Sequence, residues 1–226
     1  MSRWNRLRFA GHIAGAGTAG GTRLVLGCWT RTPHGPFADV MVQHPDGRRT
    51  LLAPDPWVAE FVASTYTFDE VLQVPVEVRR GGTGAGSQWS VSAGPLRWDL
   101  TVGRRSALGW ALRAIPGPLG RTLTLARVSD VVARLVMPGV RTLGTAGNER
   151  TEWYAARDLH GLAASRASWD GVDLGALTDV DPPADFGFSS TPRRPSLTAL
   201  TSTVRVAADQ AGAFLGKGPR GQRPAG

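Results

Sequence analysis

A chain of 226 residues with 42 % hydrophobic content can bury a core of its own. Its single cysteine, Cys28, excludes an internal disulfide and any multi-cysteine zinc or iron–sulfur site. The net charge of +8 sits at the ends, with +3 on residues 1–8 and +5 on residues 192–226, so residues 9–191 are neutral and lack the basic face of a specific nucleic-acid binder.

In chain order, residues 1–21 begin with Arg3, Arg6 and Arg8 and then turn Gly/Ala-rich, which reads as a flexible basic N-terminus. His12 interrupts the apolar run that a signal peptide would need, and with one cysteine a cytoplasmic location is the default. The stretch Gly15 to Gly20, GAGTAG, matches a dinucleotide-binding fingerprint. That fingerprint requires a helix after it, whereas the β-type run TRLVLGCW follows, so dinucleotide binding is not expected.

Short alternating segments then recur at 22–29, 37–44, 48–53, 72–79, 88–93, 96–102 and 121–128, separated by Gly, Pro and Asp, and read as strands. Asp46-Gly47 is the corner of a hairpin between the second and third. Two segments carry helical spacing. Residues 54–64 have Asp55 as N-cap, Pro56 as first helical residue and Trp57, Val58, Phe61 and Val62 on one face. Residues 129–137 start at Ser129 and stop before Pro138-Gly139. After GVRTLGTAGNERTEWYAARDLHG, residues 139–161, the pattern loosens into a Pro-rich loop over 181–197, and the last segment, LTALTSTVRVAADQAGAFLG, starts like a strand with a helix-like end. The expected architecture is mainly β: one curved sheet or closed barrel over 22–210 with about two short helices, then a disordered basic tail over 211–226. No apolar run approaches the roughly 18 residues of a membrane span.

The most informative polar residue is Asp39. In a strand over 37–44, Phe37, Asp39, Met41 and Gln43 face one way and Ala38, Val40, Val42 and His44 the other, so both faces are partly apolar. A carboxylate there must be paired or hydrogen-bonded, and burial raises its pKa toward the range of a general acid or base. Inward candidates for a cavity wall are Phe37, Met41, Trp89, Trp98 and Trp153, with Glu152, Tyr154 and His160 as further polar members. Arg97 or Arg141 is a candidate to hold a ligand carboxylate. The histidines show no metal-ligand spacing; a cross-strand set of His34, Asp39 and His160 is the one metal arrangement left open, and neither metal nor cofactor is expected.

Gly35-Pro36-Phe37-Ala38-Asp39 resembles the Gly-Pro-aromatic-x-acid stretch of the acetoacetate decarboxylase-like superfamily, and NERTEWYAARDLHG and FGFSSTP are similar to stretches of uncharacterised members. The resemblance implies a curved β-barrel with an internal apolar cavity that holds Asp39 in place of the usual Glu. The family's Schiff-base lysine follows a Gly-x-Pro stretch; the counterpart here, Gly94-Pro95, is followed by Leu96 and Arg97. Arginine stays protonated and is a poor nucleophile. The chain's one lysine, Lys217, lies in the expected tail, so imine-based decarboxylation is excluded on chemistry. The expected function is binding of a small apolar carbonyl- or carboxyl-bearing molecule. The alternatives are acid–base catalysis, with Asp39 as proton acceptor and Tyr154 or His160 as donor, and contact of the Arg-rich termini with a protein or an anionic surface.

Overall fold

The computed structural model describes residues 4–115, 143–146, 150–187 and 191–207. Within them one strongly curled, open sheet forms a half-barrel, accompanied by two short helices.

The sheet grows from its middle. Strand β1 (Trp4–Thr18) pairs antiparallel on one side with β2 (Arg23–Arg31) and on the other with the last strand, β13 (Ser196–Ala207). The segment expected to be a flexible N-terminus is therefore a central strand, and Arg6 and Arg8 are exposed residues within it. Its glycines are required by close packing. A Cβ at Gly11 would run into the Cys28 carbonyl, one at Gly17 into the Asp179 carbonyl, and one at Gly15 would lie 2.5 Å from the Thr191 side chain. The glycines at 15 and 17 of the GAGTAG fingerprint match reflect these approaches.

From β2 the sheet continues through β3 (Phe37–Gln43) and β4 (Arg49–Ala53), joined by a hairpin in which Gly47 has φ +89°. Next comes α1 (Pro56–Ala63), whose N-cap Asp55 accepts a hydrogen bond from the Val58 N–H at 2.9 Å. The chain returns as β5 (Glu70–Gln73), parallel to β4, so α1 is a crossover helix and must lie over one face of the sheet. The strand expected over 72–79 breaks at Val74-Pro75, because proline cannot donate to a ladder; β6 (Val76–Gly81) begins after it. Antiparallel β7 (Gln88–Ala93) and β8 (Leu96–Arg105) follow. Helix α2 (Ala107–Ala114), capped by Ser106, was not anticipated.

Beyond it are β9 (Leu143–Ala146), the long β10 (Arg150–Trp169), and two-residue strands β11 (Val172–Asp173) and β12 (Leu177–Thr178). Strand β10 runs between β13 and β8, so among the described residues the main path is β5-β4-β3-β2-β1-β13-β10-β8-β7-β6, with β5 and β6 at its ends. The strand expected over 121–128, the helix over 129–137 and Arg141 lie outside the described residues. Among the described residues no helix is long and apolar enough to cross a membrane.

The curl separates two kinds of face. Leu24, Leu26, Ala38 and Val40 from one half of the sheet share a single apolar cluster with Trp89, Val91, Trp98 and Leu100 from the other half, so this face is turned inward. The opposite face carries Leu7, Phe9, Leu51 and Val204 and is roofed by Trp57, Val58, Phe61 and Val62 of α1. Val180, Ala184 and Phe186, from the segment between β12 and β13, cover the same face around Val25. Burying each large α1 side chain contributes roughly 1.5–3 kcal/mol.

Candidate functional site

A cavity of about 50 Å³ lies on the roofed face, between the sheet, α1 and the segment that follows the helix. Phe9, Trp29, Phe37, Met41 and Phe61 form apolar wall, while Asp39, Tyr66, Glu152, Tyr154 and Ser202 supply the polar groups. Among the described residues, no Arg, Lys or His lines it. The volume has room on the order of four water-sized groups.

Each polar side chain arrives by strand alternation or by the crossover. Asp39 shares its face of β3 with Phe37 and Met41, as the alternation predicts, and is 3 % exposed. Directly opposite it on β2 is Gly27, and Trp29, two residues along, donates its indole N–H to Asp39 Oδ1 at 3.1 Å. A Cβ on Gly27 would sit 2.5 Å from Asp39 Oδ1 and 2.7 Å from Trp29 Nε1, so glycine opens the space in which the two meet. Desolvation pushes the Asp39 carboxyl up from 3.8 to about 7, against the opposing pull of the Trp29 hydrogen bond.

Glu152 and Tyr154, on one face of β10, enter beside Ser202 of β13. The Ser202 hydroxyl donates to Glu152 Oε1 at 2.6 Å and the Tyr66 hydroxyl to Glu152 Oε2 at 3.2 Å. Tyr66 and Tyr154 join hydroxyl to hydroxyl at 2.5 Å, and they are the only tyrosines in the chain. Either tyrosine can be the donor in the bond between them, and both phenol protons are shared between that bond and Glu152. Burial raises the Glu152 pKa, opposed by hydrogen bonds from Ser202, Tyr66 and Tyr154. Both tyrosine hydroxyls are pushed well above their ordinary value, first by desolvation and then by the Glu152 charge.

The predicted site residues divide into two groups. Phe37, Asp39, Met41, Glu152 and Tyr154 converge on the cavity. Trp89 and Trp98 instead belong to the inner core of the curl, where Trp98 Nε1 donates to Ser165 Oγ at 2.8 Å and Trp89 packs edge-on to His12. Trp153 alternates away from Glu152 and Tyr154 and lies beneath the Arg6 guanidinium. His160 is displaced by a bulge: β10 pairs Ala156 with Leu200 but Asp158 with Ala199, so the extra residue reverses the alternation and turns Asp158 and His160 to the inner face. There one His160 ring nitrogen is 3.0 Å from the Gly103 carbonyl and the other 3.6 Å from Asp158, which holds Arg105 bidentately. His160 is therefore not placed to serve Asp39 as a proton donor.

Arg97 is likewise absent from the cavity and donates to the Gly94 and Leu96 carbonyls. His34 sits 3.0 Å from Asp55 at the start of α1 and stacks on Trp57, so His34, Asp39 and His160 do not converge. Among the described residues, no group of three or more His, Cys, Asp or Glu side chains could hold a metal ion. Cys28 is buried, with its thiol pushed up by desolvation.

The expectations omitted Trp29, Tyr66, Ser202 and Phe61. Trp29 and Phe61 could be found by face assignment once their neighbours are known. Tyr66 is brought in by the crossover, 86 positions from Glu152, and carries no local signal.

Compared with known proteins, the chain matches no family model and no curated protein.

Proposed function

We propose that this chain binds a small, largely apolar molecule with one polar group in the cavity beneath α1, without imine chemistry. The observation that carries the reading is the burial of Asp39 beside Glu152, Tyr66 and Tyr154 around one aromatic-walled void, while the sheet's inner face is packed with apolar side chains. Buried carboxyls are costly; concentrating two of them at a void fits recognition of a ligand better than support of the fold. Lys217 is the only lysine in the chain, and among the described residues no lysine lines this cavity to act as a Schiff-base nucleophile.

Native mass spectrometry of freshly purified protein, followed by extraction, tests this reading. A defined small molecule should be released from the wild type and be missing from Met41→Trp, which fills the void. A bound mass equal in both proteins places the ligand elsewhere and overturns the reading.

The pKa of about 7 at Asp39 favours a second reading, acid–base catalysis in the same cavity. Asp39 would accept a proton from the carbon next to a carbonyl, and Tyr154, backed by Tyr66 and Glu152, would donate toward the developing oxyanion. Deuterium exchange into acetone, followed by NMR, tests it. Asp39→Asn should slow the protein-dependent exchange by roughly 10²–10⁴-fold, and an unchanged rate removes the reading.

A further inference from the structure

The hydrogen-bonding capacity left inside the cavity is one-sided. The Ser202 hydroxyl donates to Glu152, and the two phenol protons are shared between Glu152 and the tyrosine pair. The indole N–H of Trp29 is committed to Asp39 Oδ1. Asp39 Oδ2 takes no hydrogen bond among the described residues, although the residue is 3 % exposed and lines the void. In the ionised carboxylate the unused valence at this wall is an acceptor, so the ligand matching that form brings a donor. Among the described residues a ligand carboxylate would meet two acids and no base, and a bare carbonyl would bring one more acceptor to the ionised Asp39.

The remaining wall contributes six rings, those of Phe9, Trp29, Phe37, Phe61, Tyr66 and Tyr154. Ring faces carry negative potential and attract cations, most strongly where water is excluded. An acid facing an unfilled void inside an aromatic enclosure is complementary to an organic ammonium ion: its N–H meets Asp39 Oδ2, its charge is balanced by the carboxylate, and its alkyl part touches rings. The size of the void restricts the ion to a few heavy atoms.

We propose that the cavity's ligand class is a small alkylammonium ion with at least one N–H, held by the Asp39 carboxylate and the surrounding aromatic rings. The assignment rests on the ligand-binding reading above and names the chemistry of its occupant.

The proposal fixes the sign of a pH effect. The titratable groups that line the cavity with Asp39 are Glu152 and Tyr154 from β10 and Tyr66 from the segment after α1, and Cys28 on β2 also feels the Asp39 charge; β2 further contributes Gly27 and Trp29, β13 contributes Ser202, and α1 contributes Phe61 and Val62. The cation binds the ionised carboxylate, whose population rises about tenfold from pH 6 to pH 8 around a pKa of about 7. Titration of Glu152 acts in the same direction, since its pKa is also raised. A neutral acceptor binding to the protonated carboxyl would show the opposite slope.

The experiment is isothermal titration calorimetry on the full chain with n-propylammonium chloride, 1-propanol and acetone at pH 6, 7 and 8, in buffers of different ionisation enthalpy. The expected result is saturable binding of propylammonium, about tenfold tighter at pH 8 than at pH 6, with proton release, at least tenfold weakening in Asp39→Asn, and weaker binding of both neutral probes. Proton release and the pH slope are read on the wild type, so the test stands even if Asp39→Asn folds poorly. Absence of propylammonium binding, a flat or inverted slope, or equal or tighter binding of acetone overturns the ammonium assignment. A neutral or acidic molecule released from the wild type but not from Met41→Trp would overturn it while leaving the ligand-binding reading intact; a bound mass retained by Met41→Trp would remove that reading too.

Discussion

Trp29 donates its indole N–H to Asp39 across two adjacent strands, in a gap that exists because residue 27 has no side chain. The pair holds the carboxyl at the cavity wall with one oxygen occupied. Placing a methyl group at Gly27 would drive it into both partners, so Gly27→Ala is expected to destabilise the fold by about 1–3 kcal/mol in urea unfolding. Trp29→Phe, which removes the donor and keeps a ring, should raise the Asp39 pKa further, because the hydrogen bond is what opposes desolvation.

The raised Asp39 pKa makes stability depend on pH in a defined direction. Below the unfolded-state value near 3.8, both states hold the proton; between there and about 7 the unfolded chain ionises while the folded chain stays protonated. The unfolded state then binds fewer protons, so stability falls as pH rises through this window, by up to about 4 kcal/mol from Asp39. Asp39→Asn should flatten the decline and become more stable relative to wild type from pH 4 to pH 8, as measured by urea midpoints across pH.

Ser202→Ala removes the closest donor to Glu152 and leaves a buried carboxyl oxygen without it. The expected cost is about 1–3 kcal/mol, together with a further rise in the Glu152 pKa. Thermal unfolding at pH 5 and pH 8 should show the greater loss at pH 8, where ionisation of Glu152 most needs the donor.

The roof depends on its cap. Asp55 accepts from the Val58 N–H and contacts His34, whose ring stacks on Trp57. Asp55→Ala should cost about 0.5–2 kcal/mol and loosen α1, seen as faster hydrogen exchange at Phe61 and Val62, next to the cavity.

Much of this arrangement follows from local pattern. Alternation placed Phe37, Asp39 and Met41 on one face, and Asp55-Pro56 marked the start of α1 to the residue. Alternation alone does not say which face is turned inward. The parallel return to β5 does, by obliging α1 to cover the Asp39 side, so the tryptophans expected beside Asp39 lie on the other face. His160 was misassigned because one extra residue in β10 reverses the faces beyond Ala156, a shift visible only in the pairing with β13. The N-terminal strand was hidden by its own glycines, which resemble a flexible segment in isolation and are explained by the carbonyls pressed against them. Tyr66 came from a connection whose path depends on the whole sheet.

Carbon-detected NMR titration of the Asp39 side-chain carboxyl in the wild-type chain tests whether this acid lies in a desolvated cavity. A midpoint near 7 is expected, well above the ordinary 3.8. A midpoint at or below 3.8 would mean a hydrated or cation-paired carboxylate, and would contradict the cavity and the ligand chemistry argued from it.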